Sequence, residues 1–542
     1  HQGEHGRNQG GAEGTAKEDL PLAKYPETVT VHLGGKMNPN AKIPKGMSFE
    51  DNSYTRLLKE NLNIQVVYDW TASTSDYDEK MSLCIGSNTI PEIMNVNATQ
   101  YRALLKYDMI QPLDKYFDDY ASDALKSYVK SGGEELQKCI TNEDGELMAI
   151  PAPNLTAGGV NEMWIRQDWL DALGLDVPRT WDELAEVAKA FVTRDPDGNG
   201  ENDTIGILGP GNSDHMNAVG GNQFGLDPLF SCFQSYPQYW LKSEDGSVEY
   251  GSIQPETKTA LENISKLYAD GVIDPETLVR SDSKEPLLAG KVGIFFGPWW
   301  CAYTFADTTL SGSADWRAYF TPLSEDGKYY THMAEPTTQY VVASKDCKNP
   351  EAAFKIINYL VANEQKWVEE GVTSTEMGTG DFYPLYNTYD NADEIEKSYE
   401  ALTKYLAGDI SMDDVDFSTH KLLKNDMEAV TKLKKKPYDD FSLKYWNLDS
   451  DLAKTNLPRL VAIMVGDAPL VNEEYVPVYN AYNGQTETME AKWANLKKME
   501  EETFAKIIMG KADISEFDTF VKNWKNQGGD QILKEINDEL SK

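Results

Sequence analysis

Apolar and polar positions alternate at the start of the folded chain, in ETVTVHLGG, where Val29 and Val31 share a face, so this stretch reads as a strand. NSYTRLLKENLNI follows with a helical pattern and Asn52 or Ser53 as its cap. IQVVYDW reads as a second strand, SDYDEKMSLCIGS as a helix, IPEIMNVN as a third strand and ATQYRALLKYDMIQPL as a helix. This alternation predicts an α/β fold, a mostly parallel sheet covered by helices. ELMAIPAPN, residues 146–154, is extended and punctuated by proline, which suits a segment crossing from one structural unit to the next.

A second alternating region opens at NEMWIRQDW. In RTWDELAEVAKAF, Thr180 and Glu183 form a capping box, and Leu184, Val187, Ala188 and Phe191 fall on one helix face. KVGIFFGPWWCAY predicts a buried strand over 292–296 that breaks at Gly297-Pro298 into a turn carrying Trp299 and Trp300. TTQYVVASKDCKNPEAAFKIINYLVANEQ reads as strand, loop and helix, with Asn349 as cap and Pro350 at the first helical position. The last third is mostly helical. In ISEFDTFVKNWKNQGG, Phe517, Phe520, Val521 and Trp524 share a face and Gly528 ends the helix. No internal repeat is present.

At 542 residues the chain is too long for one core, and about 150 residues per domain implies two to four units. Hydrophobic residues at 40% are enough to build real cores, and 29 tyrosines with 12 tryptophans also suit surfaces that bind sugars or peptides. The formal net charge of -37 repels nucleic acid and anionic membrane surfaces, so nucleic acid is not expected as a partner. The basic run at Lys432, Lys434, Lys435 and Lys436 reads as a solvated helix face before Pro437. The five cysteines, Cys84, Cys139, Cys232, Cys301 and Cys347, contain no C-x-x-C pair and read as buried thiols. No apolar run is long enough to span a bilayer. Residues 1–24 are polar and glycine-rich, and read as a disordered spacer in a chain trimmed at its start.

One loop concentrates charge where charge is already abundant. DPDGNGEND, residues 195–203, places Asp195, Asp197, Asn199 and Asp203 at positions one, three, five and nine of an EF-hand-type calcium loop, with Gly200 at six and the Glu201 carbonyl at seven. Position twelve is Gly206, not the usual bidentate glutamate, and TIGILG reads as a strand where a second helix would stand. The loop is therefore expected to hold calcium structurally, with a metal-free turn rich in Asp and Asn as the alternative.

Other chemistry is sparse. The six histidines, His1, His5, His32, His215, His332 and His420, form no H-x-x-x-H pair, and neither a G-x-S-x-G elbow nor a phosphate-binding loop is present. GPGNSD from Gly209 and GGNQFG from Gly220 read as surface loops. No carboxylate pair stands out for glycoside hydrolysis. Aromatics do gather at strand ends and loops. Trp70 ends the second strand, Trp299 and Trp300 follow a Gly-Pro turn, and Tyr383 lies in DFYPLYN, positions where open sheets bind ligands.

Several stretches together resemble the extracellular solute-binding proteins of family one, which deliver substrates to ABC importers. The likeness is strongest to large Gram-positive lipoproteins and to calcium-bearing alginate-binding proteins. It is carried by WIRQDWLDALGLDVPRTWDELAEVAKAF followed by DPDGNGEND, by GKVGIFFGPWW, by NPEAAFKIINYL and by FDTFVKNWKNQGG. The resemblance implies a periplasmic-binding-protein-like α/β fold of two lobes joined by several hinge crossings, with residues 25–152 and 326–385 in one and 153–325 and 386–542 in the other. It implies capture of an oligosaccharide by hinge closure and delivery to the transmembrane subunits of a permease, by a non-enzymatic monomer lipid-anchored on the outer face of a bacterial membrane. The family's sugar-binding members stack ligand on the tryptophan after the Gly-Pro turn, here Trp299. Trp300, Trp70, Tyr383, Tyr303, Asn97 and Trp240 complete the expected ligand set. The family's metal ligands fall on Asp195, Asp197, Asn199, Glu201 and Asp203, and Thr204 stands where many members have glutamate. The alternatives are the same fold carrying a peptide or a charged sugar acid, or a secreted glycosidase with an accessory calcium.

Overall fold

In the computed structural model, which describes residues 14–211, 222–369 and 378–541, the strands Val29–Met37 and Ile64–Ser73 pair in parallel and turn Val31, Leu33, Ile64 and Val66 into a core. The intervening helix Ser53–Leu62 starts at Asn52, whose side chain accepts from Tyr54 and Thr55 while Thr55 reaches back to the Asn52 backbone. Asn52 is thus the cap, and the helix lays Tyr54, Leu58 and Leu62 on the sheet. The strand Thr337–Ala343 lies between Ile93–Val96 and Ile150–Pro153, antiparallel to both. The chain returns to this unit after a long excursion and enters the sheet in the opposite direction, so the ladders are mixed and not uniformly parallel.

The chain divides into two units. The first runs to Asn154 and returns for Pro336–Ala392 and Ser418–Lys421; the second holds Leu155–Glu335, Asp393–Phe417 and everything from Leu422 onward. The sequence placed these breaks after residues 152, 325 and 385. Residues 326–335 belong instead to the second unit because Tyr329 stacks on Phe320, with centroids 4.5 Å apart, and Tyr330–His332 pairs with Val476–Val478. Residues 386–392 belong to the first because Asn387 and Asn391 bond Asn95 and Ser127. The expected spacer is also corrected in part. Residues 1–13 lie outside the described residues, but Lys17–Leu22 forms a 3-10 helix with Leu20 buried, fixed by Lys355 Nζ donating to the carbonyls of Leu20 and Ala23.

In the second unit the sheet order is Trp316–Tyr319, Glu162–Arg166, Val292–Gly297, Ile205–Ile207, with only the last pair parallel. The helix Trp181–Thr193 carries the expected Thr180–Glu183 capping box and buries Leu184, Val187, Ala188 and Phe191. Gly293 lets this helix approach the sheet, since a Cβ there would lie 2.3 Å from the Phe191 ring. The helix Glu516–Trp524 buries Phe517, Phe520 and Trp524, but Gly528 does not end the path. Its φ of 129° makes a kink after which Asp530–Leu540 continues as helix.

All five cysteines are free, four of them buried and Cys139 half-buried. The basic run is not uniformly solvated. Lys434 is buried, its Nζ donating to the carbonyls of Lys435 and Pro437 at 2.7 Å, with the rings of Phe441, Tyr445 and Trp446 each within 5.6 Å. Burial lowers its pKa to about 8. No helix among the described residues is long and apolar enough to cross a membrane.

Candidate ligand-binding site

The first unit presents a pocket of about 150 Å³ at the ends of its strands. The strand Ile93–Val96 buries Met94 and Val96 on one face, which puts Asn95 on the other. Asn95 Nδ2 donates to Asn387 Oδ1 at 3.1 Å, and its carbonyl accepts from the Tyr77 hydroxyl at 2.9 Å. Tyr386 supplies aromatic surface, the core rings of Tyr68 and Tyr77 line the pocket from beneath, Gln339 adds a further amide, and Lys36 places Nζ 4.9 Å from the Tyr77 ring centre. Leu385, at φ 57°, reverses the chain so that Tyr386 and Asn387 face this space.

Of the residues expected here, Trp70 is half-buried with its ring 5.5 Å from Tyr77, and it fits only because Gly34 has no side chain: a Cβ there would lie 2.5 Å from the indole. Trp70 Nε1 is buried without a partner among the described residues. Tyr383 lines the pocket, but its hydroxyl donates to the Ile356 carbonyl at 2.5 Å and the ring belongs to the core. Asn97 serves as a helix cap, its Oδ1 accepting from Gln100 N at 2.9 Å. Asn97 was expected in the ligand set; the residues that line the pocket are Asn95 and Asn387. Asn95, Asn387 and Tyr386 were missed because a lone polar position in a short strand and a loop 290 residues away carry no shared local signal.

In the second unit, Glu162 lies opposite Gly297 in the sheet, at the root of the Gly-Pro-Trp-Trp turn. Trp164 Nε1 donates to the Pro298 carbonyl at 3.3 Å. The Gly466 backbone packs against the Trp299 carbonyl and the Trp164 ring, in a π-helical turn, Ala462–Gly466, that leads into Asp467. Trp299 is only 6% exposed, Trp300 is half-exposed and Tyr303 is 47% exposed. Around the turn, both Glu162 carboxyl oxygens and Trp299 Nε1 are buried without a hydrogen-bond partner among the described residues, and the buried Asp467 carboxyl faces that of Glu396. Burial drives Glu162 well above the usual carboxylate range, and burial with the neighbouring Glu396 does the same to Asp467. Glu396 itself is pushed up to about 7, first by burial. Burial thus favours the protonated form of these carboxyls, a form that can both donate and accept hydrogen bonds.

Trp240 lies elsewhere in this unit, 3% exposed, packed on Tyr250 and Trp493. His332 is buried between the rings of Tyr236 and Tyr239, and burial lowers its pKa to about 3, so it is a neutral core residue. His1, His5 and His215 lie outside the described residues, as do the last three residues of GPGNSD and the first two glycines of GGNQFG.

The acidic loop curls as the spacing requires. Gly200 N donates to Asp195 Oδ2, Glu201 N to Asn199 Oδ1, and Gly198 and Gly200 take positive φ. Asp195 Oδ1 is buried with no partner among the described residues, an acceptor that suits a hard cation. The charge balance comes from the chain itself: Lys291 Nζ lies 2.6 Å from Asp203 Oδ2 and 3.5 Å from Asp197 Oδ2. Asn199 Nδ2 donates to Asp203. Among the described residues no three His, Cys, Asp or Glu side chains converge as a metal-ligating group. Thr204 is turned away, its hydroxyl donating to the Phe191 carbonyl at 2.6 Å.

Two α/β units linked by several passages of one chain, with aromatic and amide side chains at strand ends, define the class of periplasmic-type solute-binding proteins. The bacterial extracellular solute-binding protein model matches residues 42–367, more than half of the sequence, and the chain belongs to that family. It is 30% identical over 259 residues to the fructooligosaccharide ABC transporter substrate-binding protein FusA of Streptococcus pneumoniae; the match covers 44% of this chain and 45% of that protein, so the chain spans less than half of this relative's length. It is 23% identical over 519 residues, 92% of each chain, to the polygalacturonan/rhamnogalacturonan-binding protein YtcQ of Bacillus subtilis. Among solved structures, an HMO-binding ABC-transporter-associated solute-binding protein of Bifidobacterium longum infantis aligns with a TM-score of 0.57 at 16% identity, covering 94% of this chain and 98% of that one, a likeness of fold.

Proposed function

We propose that the protein is the substrate-binding component of a bacterial ABC importer, that it captures an oligosaccharide without chemically altering it, and that it hands the sugar to the transmembrane subunits of a permease. The observation that carries this reading is the first unit's pocket, room for part of one sugar unit, where Tyr386 and the largely buried rings of Tyr68 and Tyr77 stand beside the amides of Asn95, Asn387 and Gln339. A sugar ring has an apolar C–H face and a rim of hydroxyls, and aromatic faces beside planar amides match both. The named specificities of the two sequence relatives, both for saccharides, support the same class. The family is extracellular, and a lipid anchor at the outer membrane face belongs to the reading. So does a hinge motion that the bound sugar stabilises, read by small-angle scattering with and without ligand.

The acidic loop, on this reading, is a structural calcium site. Asp195, Asp197, Asn199, Asp203 and the Glu201 carbonyl would hold the ion, whose charge would take over the role Lys291 plays. Thr204 is not among the ligands.

The test is isothermal calorimetry of the full chain against a panel of neutral and acidic oligosaccharides and short peptides, with product analysis by mass spectrometry. Saturable heat with an intact sugar recovered is the expected result. Binding of peptides alone, or cleavage of the sugar, would end the reading.

A further inference from the structure

A second pocket, of about 290 Å³, opens in the second unit beside Trp493. Its wall is built from several parts of the chain. Trp493 stands half-exposed on the helix Glu487–Ile508, its ring 5.5 Å from Trp240, and Trp240 is itself backed by Tyr250 at 4.6 Å and by Trp524 at 6.5 Å. Trp240, an expected ligand residue, lines the pocket from its buried position, and Trp493 is the more exposed of the two rings there. Gly484 lies flat on Tyr482, where a Cβ would sit 2.5 Å from the phenol oxygen and narrow the space. Tyr482 is in turn fixed by donating to Glu539 Oε2 at 2.8 Å.

The polar rim is set for an outside partner. Gln238 takes a φ of 68°, a left-handed conformation uncommon outside glycine, and its backbone N–H is held by Ser252 Oγ at 2.7 Å. This fixes the backbone while the side-chain amide, like that of Asn483, bonds to nothing among the described residues. Glu335 adds a carboxyl whose pKa is raised by burial. One indole face, two free amides that each donate and accept, and a carboxyl are the groups that recognise vicinal hydroxyls around an apolar ring face. The volume is at the lower end of the range for small-ligand pockets, about 300 to 1,000 Å³, which suits a sugar unit and not a whole chain.

We propose that this pocket is a saccharide subsite, in which a sugar ring stacks on Trp493 and its hydroxyls bond the side chains of Gln238 and Asn483. This rests on the oligosaccharide reading above. The experiment titrates fructo-, gluco-, xylo- and galacto-oligosaccharides of increasing length into the full chain by calorimetry, then repeats the tightest of them with two variants. One is Trp493→Ala. The other is the double variant Gln238→Ala with Asn483→Ala, which removes no hydrogen bond of the fold and is expected to keep the wild-type melting temperature. Both variants should weaken that sugar by about tenfold or more. Affinity within about twofold of wild type in the double variant, when the wild type binds, overturns the subsite while leaving the oligosaccharide reading standing. Failure of the wild type to bind any of these sugars, or their acidic counterparts, overturns that reading and the subsite with it.

Discussion

Lys291 Nζ and Asp203 Oδ2 lie 2.6 Å apart, joining the first residue before a core strand to the last acid of the loop at 195–203. The contact holds the Asp203 carboxyl below its usual pKa and the Lys291 ammonium above its own. A divalent cation held by this loop would compete with the lysine for the same carboxylates. Chelated protein is therefore expected to gain melting temperature when calcium is added, in proportion to the logarithm of calcium above its Kd. Lys291→Met should tighten calcium binding and enlarge that gain, as read by calorimetry and by thermal scans. If neither protein shows heat or a thermal shift, the loop is a metal-free turn.

The Tyr25 hydroxyl donates to Glu351 Oε2 at 2.5 Å, and Lys355 Nζ lies 4.9 Å from the Tyr25 ring. Burial pushes Glu351 up to about 7, against about 4.3 for a free glutamate. A carboxyl raised in the folded state contributes stability that is fully present below the free value and is lost as pH rises through about 7. Lys355, lowered to about 8 by burial, acts in the opposite direction at higher pH, because the unfolded chain holds that proton longer. The urea midpoint of the wild type should fall more steeply between about pH 4.5 and 7 than that of Glu351→Gln, by up to about 1.4 kcal/mol per pH unit in stability. Parallel profiles would remove Glu351 as the titrating group.

Trp299 and Trp300 should separate cleanly. Trp299 is 6% exposed and packs in the core around Trp164, so Trp299→Ala is expected to cost about 3–5 kcal/mol of stability. Trp300, half-exposed, should cost little stability when changed to alanine and should instead weaken sugar binding. Melting curves and calorimetry on both variants decide the assignment; an unchanged affinity in Trp300→Ala takes that ring out of the site.

Asn97 and Asn387 offer the same contrast in the first unit. Asn97→Ala removes a helix cap and should lower stability by about 1 kcal/mol with affinity unchanged. Asn387→Ala removes an amide that lines the pocket and should weaken ligand binding. A loss of affinity in Asn97→Ala with none in Asn387→Ala would reverse the roles given to the two side chains.

Local chemistry made much of this protein legible in the linear chain. The Thr180–Glu183 capping box, the apolar face from Leu184 to Phe191 and the strand breaking at Gly297-Pro298 depend on contacts within a few residues, and periodicity records such contacts directly. The curl of the acidic loop is local for the same reason. The alternation of strands and helices was enough to give the α/β class.

Only the tertiary structure decided the rest, because the deciding contacts join distant residues. The pairing of Thr337–Ala343 against two strands nearly 190 and more than 240 residues earlier sets strand direction, which no local pattern encodes. Trp70, Trp240, Trp299 and Trp300 are alike in sequence, yet burial makes Trp240 and Trp299 core and leaves Trp70 and Trp300 partly exposed. Asn95 became a pocket residue by meeting Asn387, and Lys291 became the counter-ion of the loop by meeting Asp203. A side chain's role follows from its neighbours in space, and those are assigned only when the chain closes on itself.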